Sequence, residues 1–415
     1  MTEGMRFRNK LAYDLIRGIP QMVGLRTQFV HLYVKDNTEE SGGKFEDYGI
    51  YTQVEQLNKT ALKSHGLDSN GQLYKINSFE FYRYEDIIKK EDDAGYDKTA
   101  FEKMLEIKGD SDHTKLIDML TDLNDYSIGI EDVLKEHFDE ENIVYWMAFQ
   151  ILMGNVDTQN RNVYLYSPLN SDIWYFIAWD NDGCLMRSEY ELKNFSDQGS
   201  WEKGISNYWG NVLFQRCLKS RSFREKLNDA ILELREYLNK DMLISKIESY
   251  KNVLKPYLYS MPDAEYEPLT SEQYDQIVAS LPDEIEKNYK LYLESLETPM
   301  PFYIGIPTID GNKLKFNWDV SYDLDAEDIT YSVEVARDYL FQDVIYHNTT
   351  LTVPETEMDL PEAGQYFVRI RATNTSGKTQ DAFDYYVTDE GKHYGMKCFY
   401  ITEDSTVEED NYEEG

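Results

Sequence analysis

The chain has 415 residues, enough for two or three domains of ordinary size, each with its own core. Lys and Arg number 42 against 77 Asp and Glu, and a net charge of −35 repels phosphate backbones and anionic lipid, which excludes nucleic-acid binding through a basic face. Hydrophobic residues at 41%, with 34 Tyr, 18 Phe and 6 Trp, give more apolar mass than a disordered acidic chain carries, so packed domains are expected.

The three cysteines, Cys184, Cys217 and Cys398, are odd in number and widely spaced, and predict neither a disulfide framework nor a Cys-x-x-Cys metal site. The first residues hold no apolar run of signal-peptide length, and no 18 apolar residues stand together, so neither an export signal nor a membrane span is expected. Residues 21–87 read as short extended runs, among them Phe29-Val30-His31-Leu32-Tyr33-Val34 and Tyr48-Gly49-Ile50-Tyr51. Residues 83–130 read as charged, weakly periodic helices. From Glu140 to Met153 an almost wholly apolar stretch predicts a helix buried on most faces, stopped at Gly154-Asn155.

Two β-prone runs follow, 163–166 and 173–179, joined by the polar turn 167–172 and predicted to form a hairpin. Polar loops reach to about Asn211, then amphipathic helices occupy 212–258 and 271–296. Beyond Thr298-Pro299-Met300-Pro301 the period switches to two, as in Leu314-x-Phe316-x-Trp318 and Tyr366-x-Val368-x-Ile370-x-Ala372, which predicts an all-β sandwich. Trp318 on an early strand and Tyr366 after Leu360-Pro361-Glu362-Ala363-Gly364 make this part resemble a fibronectin type III domain. The tail from Ile401 to Gly415 has seven acids and no base and reads as a solvated extension.

The chemistry-bearing segment is Gly154-Asn155-Val156-Asp157-Thr158-Gln159-Asn160-Arg161-Asn162, the hairpin, and then Trp179-Asp180-Asn181-Asp182-Gly183. If Tyr166 pairs with Ile173, Asn162 faces Ile177 and Asp180 lies three residues further on, so Asp157, Asn162, Asp180 and Asp182 converge at one end of the hairpin. Oxygen ligands of this kind suit a hard cation such as Mg²⁺, which holds nucleotide phosphates while a further carboxylate orients an attacking hydroxyl. The five-residue interval from Asp157 to Asn162 matches the Asp-to-Asn spacing of a protein-kinase catalytic loop. On local sequence alone, an Asp in a Gly- and Asn-rich turn is ordinarily a cap or turn residue. An EF-hand beginning at Asp180 is excluded, because Cys184 and Leu185 fall where an oxygen ligand and a glycine are required. The six histidines lack zinc-hydrolase spacing, and no Walker loop, Gly-x-Gly-x-x-Gly turn or Gly-x-Ser-x-Gly elbow occurs.

This segment resembles the CotH family of spore-coat protein kinases, which carry Asp-x-x-x-x-Asn, a Tyr-rich strand and Trp-Asp-x-Asp. Further similar blocks follow in family order: Arg8-Asn9-Lys10-Leu11-Ala12-Tyr13, Tyr48-Gly49-Ile50-Tyr51-Thr52-Gln53-Val54-Glu55, Gly71-Gln72-Leu73-Tyr74-Lys75, Leu213-Phe214-Gln215-Arg216 and Phe223-Arg224-Glu225-Lys226-Leu227. The likeness spans roughly residues 5–295. It implies an α+β, protein-kinase-like domain over 1–297, followed by the fibronectin type III-like sandwich over 298–402 and an acidic tail over 403–415. It implies ATP and Mg²⁺ as cofactors, Asp157 and Asp180 as catalytic residues, and Asn162, Asp180 and Asp182 as metal ligands. Lys75 would pair with nucleotide phosphates and Glu55 would position that lysine. The expected activity is transfer of the γ-phosphoryl group to a Ser or Thr hydroxyl of a protein, in a bacterial spore, secreted or cell-surface setting. Because the chain begins almost at the Arg8-Asn9-Lys10 block, a truncated N-terminal lobe is expected. The alternative is a catalytically silent scaffold that uses its sandwich to engage protein or glycan.

Overall fold

A computed structural model describes residues 3–36, 38, 43–193 and 198–410. The chain divides into two compact units, 1–194 with 211–289, and 195–210 with 290–415. The division differs from the expected boundary at 297/298. It falls inside the helix Ser271–Glu297, and the stretch before Asn211 groups with the second unit.

In the first unit, helix α1 (Arg8–Ile16) precedes a two-stranded antiparallel sheet of β1 (Thr27–Lys35) and β2 (Phe45–Val54), which contain the two extended runs. A second sheet has the order β4-β3-β5-β6, from β3 (Gln72–Ile76), β4 (Leu105–Ile107), β5 (Val163–Ser167) and β6 (Tyr175–Ala178), with every neighbouring pair antiparallel. Contrary to expectation, residues 83–97 are not helical. Phe81 and Tyr84 take positive φ and break the backbone, and the helices Lys98–Met104, Thr114–Asn124 and Ile130–His137 begin later.

The helix Glu140–Met153 forms the core against the second sheet. Asp139 caps its first turn by accepting the Asn142 N–H at 3.0 Å, and Gly154 ends it in the left-handed region at φ 62°. Only glycine fits there, since a Cβ would stand 2.6 Å from the carboxamide of Asn288. Trp146 meets Phe176 edge-on, ring centroids 5.1 Å apart. Asn142, buried in this otherwise apolar face, accepts the Phe176 N–H at 2.6 Å and donates to the Phe176 carbonyl at 3.1 Å, so the helix satisfies the outer side of β6.

The hairpin register differs from the expected one by two residues. Tyr166 pairs with Tyr175 and Val163 with Ala178, because Ile173 and Trp174 leave the strand. Trp174 bridges Phe138 instead, donating its N–H to the His137 carbonyl at 2.7 Å, and is fully buried. Asn162 consequently lies opposite Trp179, whose N–H donates to the Asn162 carbonyl at 3.2 Å, and Asp180 follows at once.

The second unit is β-rich. One sheet has the order β10-β9-β12-β16-β17 with β13 on the end of β12, from β9 (Ile329–Ala336), β10 (Val344–Leu351), β12 (Gly364–Asn374), β13 (Thr379–Asp381), β16 (Met396–Ile401) and β17 (Val407–Glu409). The other has the order β11-β8-β7, from β7 (Thr308–Asp310), β8 (Lys313–Asn317) and β11 (Glu355–Asp359). A separate pair joins β14 (Tyr385–Thr388) to β15 (Gly391–Tyr394). The alternating residues of the two main sheets, Leu314, Phe316, Tyr331, Val333, Val335, Val368 and Ile370 among them, share one buried cluster. The acidic tail is only in part an extension: β17 pairs with β16, and Lys397 takes Glu409 at 3.0 Å, while residues 411–415 lie outside the described residues. All three cysteines are buried and free, and no described helix is long and apolar enough to cross a membrane.

Candidate active site

Two loops leave the core side by side. The first follows the glycine stop of helix Glu140–Met153 and carries Asp157. The second follows β6 and carries Asp180 and Asp182. They touch: a Cβ on Gly183 would lie 2.6 Å from Asn155 Oδ1 and 4.0 Å from the Cβ of Asp157.

Asn162 closes the first loop. Held at φ 58°, it turns its carboxamide back to donate to the Asp157 carbonyl at 3.1 Å and to Asp157 Oδ2 at 2.8 Å. Both Nδ2 bonds are thereby spent on Asp157, and Oδ1 is left without a partner among the described residues. Asp180 is also left-handed, at φ 49°; its N–H donates to the Tyr13 hydroxyl at 3.1 Å, and the Asn9 carboxamide spans from Asp180 Oδ1 at 3.5 Å to the Asn181 N–H at 3.1 Å. Two non-glycine residues in the left-handed region at adjoining loops are strain that surrounding bonds must hold.

The electrostatics fit a cation. The Asp157 side chain is 54% exposed, yet partial burial first and the charge of Asp182 raise its carboxyl above the ordinary 3.8, against Arg161 at 3.5 Å and the Asn162 bond. Asp180 is raised as well, by burial, then by Asp182 and Asp157, against the attraction of Lys75. Asp182 makes no hydrogen bond or ion pair among the described residues. Three carboxylates that feel one another's charge, plus a free amide oxygen, form an all-oxygen donor set of the kind Mg²⁺ takes. They stand farther apart than a closed cluster. Among the described residues, the group whose ligand atoms lie within 4.8 Å of one another is Asp122, Glu136 and His137, and its 2.8 Å contact between His137 Nε2 and Asp122 ties helix Thr114–Asn124 to helix Ile130–His137.

Lys75 sits on β3 opposite Tyr164 of β5, and Tyr164 pairs in turn with Ile177 of β6, so the lysine shares a sheet face with the residues leading into Asp180. Its ammonium makes no hydrogen bond or ion pair among the described residues. Glu55 is engaged elsewhere. Its carboxylate accepts from the Arg26 side chain and backbone N–H and lies 2.8 Å from His65 Nε2, which holds it well down, at about 2, so the structure does not bring it to Lys75. Asp157, Asn162, Asp180, Asp182 and Lys75 gather at the hairpin end; Glu55 does not.

The model of the CotH kinase protein family matches residues 1–292. This chain belongs to the CotH family. The match covers the first unit and stops short of the sandwich, and no curated protein matches the chain. A kinase family uses a nucleotide and a metal in general. Sequence reasoning missed the residues that hold the Asp180 loop of this CotH chain. Asn9 and Tyr13 lay inside a quoted block, but nothing local told which loop they would meet.

Proposed function

We propose that the protein is a Mg²⁺-dependent protein kinase that transfers the γ-phosphoryl group of ATP to a Ser or Thr hydroxyl. The observation that carries this reading is the pairing of Asp157 with Asn162 beside Asp180, with an unpaired lysine on the same sheet. Asp180, Asn162 Oδ1 and Asp182 would hold the metal, which supplies charge neutralisation at the phosphates. Asp157, held by the Asn162 carboxamide, orients the acceptor hydroxyl and takes its proton; its raised carboxyl makes it a stronger base than a solvated Asp. Lys75 pairs with phosphate oxygens.

The second unit is read as fibronectin type III-like. The orders β10-β9-β12-β16 and β11-β8-β7 follow the strand neighbourhoods of such a sandwich, and the Tyr366 hydroxyl bonds back to the Glu362 carbonyl at 2.7 Å as a tyrosine corner does. Its role would be contact with protein or glycan, in a setting that would be the bacterial cell surface, secreted or spore-associated.

The test is radiolabel transfer from ATP to casein or to the chain itself, with Asp157→Asn and Asp180→Asn as controls. Both are expected to lose transfer by at least about 100-fold, and only Asp180→Asn to lose metal–nucleotide stabilisation on thermal melting. Normal transfer in both variants would remove these assignments. Transfer absent from the unaltered chain, with no melting shift, would leave the silent scaffold.

A further inference from the structure

Helix Glu140–Met153 is apolar almost throughout, yet it carries a glutamine, Gln150, with no exposed surface. A buried primary amide in such a helix is unfavourable unless both ends are used. Both are. Asn155 Nδ2 donates to Gln150 Oε1 at 3.1 Å, and Gln150 Nε2 donates to Asn181 Oδ1 at 3.1 Å. Asn155 stands two residues before Asp157, and Asn181 directly follows Asp180. Three buried carboxamides therefore run in series from one loop to the other, through the last turn of the helix that the first loop leaves.

The outer end of the series, at Asn155, remains open. Asn155 Oδ1 is buried with no hydrogen-bond partner among the described residues and faces Gly183, where a side chain would collide with it, while the Asn181 side chain meets the Tyr13 hydroxyl. An assembly optimised for stability alone would not keep an unpaired buried polar atom beside a pair of left-handed residues.

We propose that Gln150 is a positioning residue that sets the spacing of Asp157 from Asp180, so that a metal–nucleotide complex is held by both loops at once. This rests on the kinase reading above. Gln150 touches neither substrate nor metal; it acts through Asn155 and Asn181. Replacing its amide by an apolar group of similar length frees the loops from each other without opening a large cavity.

The test is calorimetric titration of the full chain with Mn²⁺ and ATP, alongside amide hydrogen exchange. The unaltered chain is expected to bind and Asp180→Asn to fail. Gln150→Met is expected to bind about 10- to 100-fold more weakly, as indirect metal-site partners do. In the unaltered chain, Mn²⁺–ATP should protect residues 155–162 and 180–185 together; in Gln150→Met, protection of 155–162 should be lost first. Asn155→Ser, which cuts the series at its outer end and leaves the helix intact, should show the same weakening and stands in if Gln150→Met does not fold. Folded variants that bind Mn²⁺–ATP as the unaltered chain does would overturn the proposal while leaving the kinase reading in place. Absence of binding in the unaltered chain would remove the kinase reading, and the positioning role with it.

Discussion

Arg8 and Leu185, 177 residues apart in the chain, are joined by a hydrogen bond of 3.1 Å from the guanidinium Nε to the carbonyl. The Leu185 N–H donates to the Met153 carbonyl at 2.7 Å, and Leu185 is left-handed at φ 53°. Arg8 thus fastens the far end of the Asp180 loop, as Asn9 fastens its start.

The same guanidinium is fully buried and pairs with Glu189 at 2.7 Å and Glu3 at 3.0 Å. Arg8→Met would leave the Glu189 carboxylate buried, with Lys193 as its remaining ion-pair partner. A loss of about 3–5 kcal/mol is expected, the usual result of breaking a buried pair from one side. Urea unfolding measures it, and an unchanged midpoint would refute the clamp.

Lys75 and Glu55 should separate cleanly. Lys75→Met removes a charge with no partner to lose, so the melting temperature should hold while nucleotide affinity and transfer fall. Glu55→Gln weakens the tie of Arg26 and His65 at the base of β1 and β2 and should lower the melting temperature slightly, as the loss of a largely exposed pair does, with transfer in the folded protein unaltered. If Glu55→Gln instead abolished transfer at full stability, the carboxylate would have to leave Arg26 for Lys75 during turnover.

Stability should fall as pH rises through the weakly acidic range. Burial above all raises Glu3 and Glu267 from 4.5 to about 7 each. Each binds its proton more tightly folded than unfolded, so its contribution is complete below about 4.5, declines up to about 7 and is then level. Denaturation at steps from pH 4.5 to 8 should show this slope, and Glu3→Gln with Glu267→Gln should flatten it. A slope that survived both substitutions would place the protons elsewhere.

In the sandwich, Tyr366→Phe deletes the bond to the Glu362 carbonyl while keeping the ring packed on Phe399. The expected loss is about 1 kcal/mol, read as a lower melting temperature with phosphoryl transfer unchanged.

How much was readable depended on the range of the contacts. The stop at Gly154, the two-residue period beyond 301 and the Asp157-to-Asn162 interval are local, and the structure has all three. The hairpin register was misjudged because Trp174 has the propensity of a strand residue but is drawn to Phe138, a partner 36 residues upstream that propensity does not see. Glu55 is held away from Lys75 by contacts that a local reading does not show, its carboxylate being taken by Arg26 and His65. Gln150 went unremarked inside an apolar run, because its partners Asn155 and Asn181 lie on two different loops.

Asn142 has an effect beyond the packing of its own helix. By occupying both the N–H and the carbonyl of Phe176, one side chain seals the free margin of the four-stranded sheet at that point. A polypeptide cannot dock there by adding itself as a fifth ribbon, which removes a route to self-association next to the loops of Asp157 and Asp180. Whatever meets that margin must do so without backbone pairing at Phe176.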